Sequence, residues 1–99
     1  MLIHNVLFWL RDDLTNDERA AFHAGVETLA SIHAAHAVYI GTPAATPKRP
    51  VIDDSYDVAL TVLLDTLEAH DTYQDDPIHR RFVKECASCW TKVAIIDAD

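Results

Sequence analysis

Residues 2–10 alternate with a period of two, and both alternating sets are mostly apolar. Leu2, His4, Val6, Phe8 and Leu10 share one face, while Ile3, Asn5, Leu7 and Trp9 share the other. A strand that is apolar on both faces must be covered on both, so it belongs inside a layered structure. That demand falls on a chain of 99 residues, which has material for one core and hence one domain over residues 1–99.

The rest of the chain supplies the cover. Arg11-Asp12-Asp13 closes the strand, and Thr15-Asn16-Asp17-Glu18 has the spacing of a capping box. A helix follows with Phe22, Val26, Leu29 and Ile32 or His33 at helical spacing, ending near residues 33–35. Ala37–Gly41 reads as a short strand closed by Gly41-Thr42-Pro43. Residues 43–54 hold Pro43, Pro47 and Pro50 without periodicity, which predicts an exposed loop. Residues 56–64 form the clearest strand pattern. Asp65-Thr66-Leu67-Glu68 repeats the capping logic and opens a helix through Tyr73. Asp75-Asp76 breaks it, and Asp76-Pro77 starts another, with a capping acceptor followed by proline at the first helical position. Ile78, Phe82, Cys86, Cys89 and Trp90 then mark one stripe, and residues 91–97 read as the last strand.

The order is β-α-β-β-α-β, with the second helix broken at Asp76-Pro77. Right-handed crossovers turn it into an α+β, ferredoxin-like arrangement: a four-stranded antiparallel sheet with the helices on one face. Ile3, Leu7, Trp9, Ala59 and Leu63 then lie on the other face, bare in a monomer. A bare apolar face of that size predicts a homodimer joined through the open sheet face.

Charge narrows the partners. Eight Lys+Arg against sixteen Asp+Glu give a net charge of −8. This argues against nucleic acid and against anionic membrane surfaces. No apolar run reaches the roughly 20 residues of a membrane span, and the N-terminus lacks the basic region of a signal peptide. Two cysteines make no disulfide framework, so a cytoplasmic location is expected. Two glycines leave no phosphate-cradling loop, and no Gly-x-Ser-x-Gly elbow is present. No cofactor is expected from these motifs, although haem and flavin need no short motif.

His4-x-Val6-x-Phe8, Tyr56-Asp57 at the third strand, and the block Leu67…Tyr73…Asp76-Pro77-Ile78-His79 resemble the stress-responsive A/B barrel domain (Dabb) family over nearly the whole chain. The Tyr-x(3)-Pro-x-His block is the most specific part. The resemblance implies a dimeric α/β barrel, in a family most of whose members have no established activity. One branch, the plant polyketide cyclases of the olivetolic acid cyclase type, closes a linear polyketide by aldol condensation in a cavity between sheet and helices. By that resemblance Tyr73, His79 and His4 correspond to its pocket residues. Val58 stands where that branch has a histidine, and Val26 where it has a tyrosine.

Chemistry therefore concentrates on His4, Tyr73 and His79 as candidate catalytic residues. His4 points to the helix-bearing side. His79 lies in the first turn after Pro77, where the helix-end dipole disfavours imidazolium and suits a neutral general base. The break allows Tyr73 and His79 to converge, with a ring nitrogen of His79 expected within hydrogen-bond reach of Tyr73, His4 or a bridging water. The alternative is that His4 and His79 are fold residues satisfied by backbone or by each other. Cys86-x-x-Cys89 lies at a helix C-terminus on an apolar stripe, which favours packing over redox or zinc chemistry. The cluster His70, Asp71, Asp75, Asp76 and His79 matches no metal motif and reads as solvated capping residues, so no metal is expected. His33, His36 and His23 read as surface, and Lys48-Arg49 as a lone basic pair. Three functions are compatible with these residues: binding of a small apolar ligand, an enzyme of cyclase, isomerase or cofactor-free oxygenase type, and dimerisation itself as a structural role. A cavity of several hundred Å3 would favour the first two, and a filled core the third.

Overall fold

The computed structural model describes residues 1–99. Its elements are β1 (Leu2–Leu10), α1 (Asn16–Thr28), β2 (Ala37–Gly41), β3 (Val58–Leu64), α2 (Leu67–Asp75), α3 (Pro77–Cys86) and β4 (Trp90–Ala98). The strands form one antiparallel sheet in the order β2-β3-β1-β4, so the doubly apolar β1 is central. This is the ferredoxin-like arrangement expected from the sequence.

Local chemistry sets each boundary. The capping box forms in full: Glu18 N donates to Thr15 Oγ1 at 3.1 Å, and Thr15 N donates to Glu18 Oε1 at 2.9 Å. α1 ends at Thr28, earlier than its apolar spacing predicts. The Thr28 hydroxyl bonds back to Gly25 O at 2.6 Å, and a 3-10 turn over Leu29–Ser31 follows. That turn still delivers Leu29 and Ile32 to the core and leaves His33 exposed. β3 begins at Val58, two residues later than expected, because Asp57 acts as a clamp. Its Oδ2 accepts from Leu10 N at 2.7 Å, and its own N–H donates to Phe8 O at 2.8 Å. Asp76 caps α3 by accepting from Ile78 N at 2.8 Å, with Pro77 in the first turn. Cys89 and Trp90 leave the α3 stripe: Cys89 ends a 3-10 turn, and Trp90 starts β4.

The core lies between the sheet and the helices. Leu2, Val6, Phe8 and Leu10 meet Val58, Leu60, Val62 and Leu64, with Phe22, Val26 and Phe82 above them. Val58 and Val26 are fully buried here. Phe8 packs edge-on against Phe22 and Phe82, with centroids at 5.3 and 5.9 Å. Cys86 is buried as expected, and burial pushes its thiol pKa up, while Cys89 is only half-buried. His23, read as surface, is half-buried against the Phe22 ring.

Gly25 marks the closest approach of α1 to α3. A Cβ there would lie 2.6 Å from Cys86 Sγ. Alanine is the better helix former by about 1 kcal/mol, but overpacking a core contact costs about 1–3 kcal/mol. Gly25→Ala is therefore expected to lower stability in urea unfolding, and Cys86→Ala in the same chain to reverse the sign of its effect. A stabilising Gly25→Ala in the wild-type background would refute the close-packing assignment.

Candidate functional site

Four elements bring polar groups to one end of the core. β1 supplies His4, α2 supplies His70 and Tyr73, the first turn of α3 supplies His79, and β4 supplies Asp97. In the β1–β4 register Asp97 lies opposite His4 and on its face, the side that carries the helices. His4 is 2% exposed, and its Nδ1 donates to Asp97 Oδ1 at 2.5 Å. A carboxylate only accepts, so this bond places a proton on Nδ1.

Tyr73 and His79 do converge, in a different way from the expected hydrogen bond. Their rings meet edge to face, with centroids 5.1 Å apart. His4 stacks in the same manner on Tyr73 at 5.8 Å and on His70 at 5.2 Å. The Tyr73 ring is fully buried, and its hydroxyl has no hydrogen-bond partner. Burial pushes its pKa well above the usual 10, so the phenol remains protonated and is a donor. An unpaired buried hydroxyl costs about 1–3 kcal/mol, so something must offset it or use it.

His4, Tyr73 and His79 line one partly open pocket of about 120 Å3, whose other walls include the apolar side chains of Leu60, Phe82, Trp90 and Val93. It is smaller than the several hundred Å3 expected to favour ligand binding or catalysis, yet the core there is not filled: its volume is close to the roughly 150 Å3 that accepts benzene in an engineered core. Two larger grooves, of about 280 and 540 Å3, lie outside between α1 and α3, away from these histidines.

The pKa of His79 is held below its usual 6.5, first by burial and then by the nearby His4 and His70; Asp76 opposes the shift. The shift runs in the direction expected from the sequence, with burial rather than the helix end as its main cause. Between the lowered folded value and 6.5, the unfolded chain binds a proton that the folded chain does not. Stability should thus fall as pH drops below 6.5 and level off beneath the folded value. Urea midpoints across that range should lose part of this slope in His79→Gln, and an unchanged profile would remove His79 as its source.

His70 and Asp97 are the site residues that sequence reasoning missed. His70 reads as part of a solvated acidic cluster, but its side chain is only 18% exposed and turns toward His4. The available signal is its spacing: His70 lies three residues before Tyr73, on the same helical face. Asp71, Asp75 and Asp76 remain capping or surface groups, with Asp75 paired to Arg80 at 3.4 Å.

A four-stranded antiparallel sheet with all helices on one face, and a pocket between them, defines a ferredoxin-like α+β domain. The chain belongs to the stress responsive A/B barrel domain family, Dabb, whose family model matches residues 2–99. Similar solved structures include a dimeric ferredoxin-like protein of unknown function from Thermobifida fusca, with 22% identity and TM-score 0.78 over 98% of this chain and 88% of that one. A Dabb protein with a ferredoxin-like fold from Mesorhizobium loti has 22% identity and TM-score 0.78, covering 99% of this chain and 94% of its own. A hydroxynitrile lyase from Passiflora edulis has 17% identity and TM-score 0.79, covering 98% and 90%. At these identities the likeness is one of fold. No curated protein matches in sequence. No helix is long and apolar enough to cross a membrane.

Proposed function

We propose that the chain is a homodimeric, cofactor-free enzyme that binds a small apolar carbonyl compound and moves a proton next to its carbonyl group. One observation carries this reading: the Tyr73 hydroxyl is fully buried and unpartnered among residues that line a cavity with His4 and His79. A protonated phenol in an apolar pocket is a ready donor to a carbonyl oxygen, and it favours an enolate more than a ketone. His79, whose pKa burial holds below the usual 6.5, accepts the proton from the adjacent carbon. His4, fixed by Asp97, orients the ligand from the opposite wall. The small pocket suits a group of about the size of one six-membered ring. That size disfavours the polyketide of the cyclase branch and leaves isomerase-type and lyase-type chemistry. A hydroxynitrile lyase of the same fold is consistent with a pocket here that handles a small molecule. Two free cysteines suit a reducing, cytoplasmic compartment.

The dimer follows from the open face. Ile3 (39% exposed), Ile96 (60%) and Tyr39 (63%) join Leu7, Ala59 and Leu63 there. Structural neighbours described as dimeric support the same assembly.

The test compares cyclohexanone with methylenecyclohexane, which has nearly the same shape and no carbonyl oxygen. Wild-type protein is expected to prefer the ketone by about tenfold, the worth of one buried hydrogen bond. Tyr73→Phe should abolish that preference. It should also leave stability unchanged or raise it by about 1 kcal/mol, since the deleted hydroxyl is unsatisfied. Equal binding of both compounds by the wild type would remove the donor role, and a strongly destabilised Tyr73→Phe would make the hydroxyl a structural group.

A further inference from the structure

We propose that His4, His70 and Asp97 form a binding site for a first-row divalent transition ion of the zinc class, behind the pocket. One donor atom from each lies within 4.8 Å of the others, and the three come from β1, α2 and β4. Two imidazoles and one carboxylate suit zinc, cobalt or nickel, whereas magnesium and calcium prefer oxygen alone.

Proximity alone would be weak; the arrangement around His70 adds a second observation. His70 Nδ1 lies 3.2 Å from Asp71 Oδ1, a contact in which the nitrogen must donate. The Gln74 amide nitrogen lies 3.5 Å from His70 Nε2, which can only accept from it. Both contacts put the proton on Nδ1 and leave a lone pair on Nε2. That nitrogen also lies 4.0 Å from Asp97 Oδ2, one acceptor near another, and the long Gln74 contact is all that a cation has to displace. A cation between them turns this opposition into ligation. Asp71 then has the place of the carboxylate that orients many metal-binding histidines from behind.

Ligation asks for small movements. Metal–ligand bonds of about 2.0–2.2 Å put the donors nearer to one another than 4.8 Å. The Asp97 side chain, 42% exposed near the end of β4, has room to shift. The ion takes the place of the proton between His4 Nδ1 and Asp97, and that proton passes to His4 Nε2, so the ring stays neutral. Three protein ligands leave a fourth position for water. If the pocket reading above holds, ligation at Nδ1 also turns the second His4 nitrogen from acceptor to donor. The metal site itself does not depend on that reading.

Titration of the full chain with CoCl2 or ZnCl2, with no carbonyl compound present, tests the site. One equivalent per chain is expected, with cobalt absorption typical of a low-coordinate nitrogen and oxygen site. His70→Ala and Asp97→Asn should each remove saturable binding, and Asp71→Asn should weaken it by about tenfold. His36→Ala, at the exposed histidine after α1, should change nothing. Should a variant fail to fold, zinc added to wild-type protein decides: the ring signals of His4 and His70 should shift, and those of His33 and His36 should not. Absence of binding at millimolar metal, or binding that survives His70→Ala and disappears with His33→Ala or His36→Ala, would overturn the proposal.

Discussion

Leu63→Asp is expected to convert a dimer into a monomer. Leu63 lies on the open face, paired with Ile3 on one side and Ala37 on the other. A sheet-to-sheet interface of stable size buries more than about 1,000 Å2 and would seal this position from water. A carboxylate desolvated there without a partner costs several kcal/mol, enough to weaken association by about 1,000-fold. Trp9 is a poorer test, although it belongs to the same face. Its ring is covered by Lys92 Nζ at 4.3 Å, and its Nε1 donates to Ser55 Oγ at 3.1 Å. Light scattering at micromolar protein should give twice 11.1 kDa for the wild type and 11.1 kDa for Leu63→Asp. A wild-type mass of 11.1 kDa would leave the open face without its proposed partner.

The second large effect concerns His79. If its neutral ring takes a proton from the carbon beside a bound carbonyl, the protein should catalyse hydrogen–deuterium exchange at those carbons of cyclohexanone in heavy water. Removing a positioned base costs about 10²–10⁴-fold, so His79→Ala should bring exchange close to the buffer rate. The ring is half-buried and makes no side-chain hydrogen bond, so its loss leaves no buried polar partner orphaned. The dimer should therefore survive the substitution. Equal exchange in wild type and His79→Ala would take the base role away from His79.

Element order was legible in this sequence because capping chemistry is local. Thr15 with Glu18, and Asp76 with Pro77, each fix a helix start within four residues. Element ends were less legible, because their causes are tertiary. The Asp57 clamp depends on where Leu10 lies, and the β4 boundary on Arg11, whose N–H donates to Cys89 O. The site divides in the same way. His4, Tyr73 and His79 could be grouped from alternation and the proline break. Asp97 could not, because its link to His4 spans 93 residues and exists only through the β1–β4 register. The edge-to-face contact between Tyr73 and His79 likewise depends on side-chain packing that no spacing specifies.

The most direct test of the pocket is a crystal structure of the wild-type protein with cyclohexanone. The ring is expected in the cavity between Leu60, Phe82 and Trp90, with its oxygen within about 3 Å of the Tyr73 hydroxyl and its neighbouring carbon facing His79. A ketone seated only in the outer grooves between α1 and α3, with Tyr73 still unpartnered, would contradict the pocket as the seat of function.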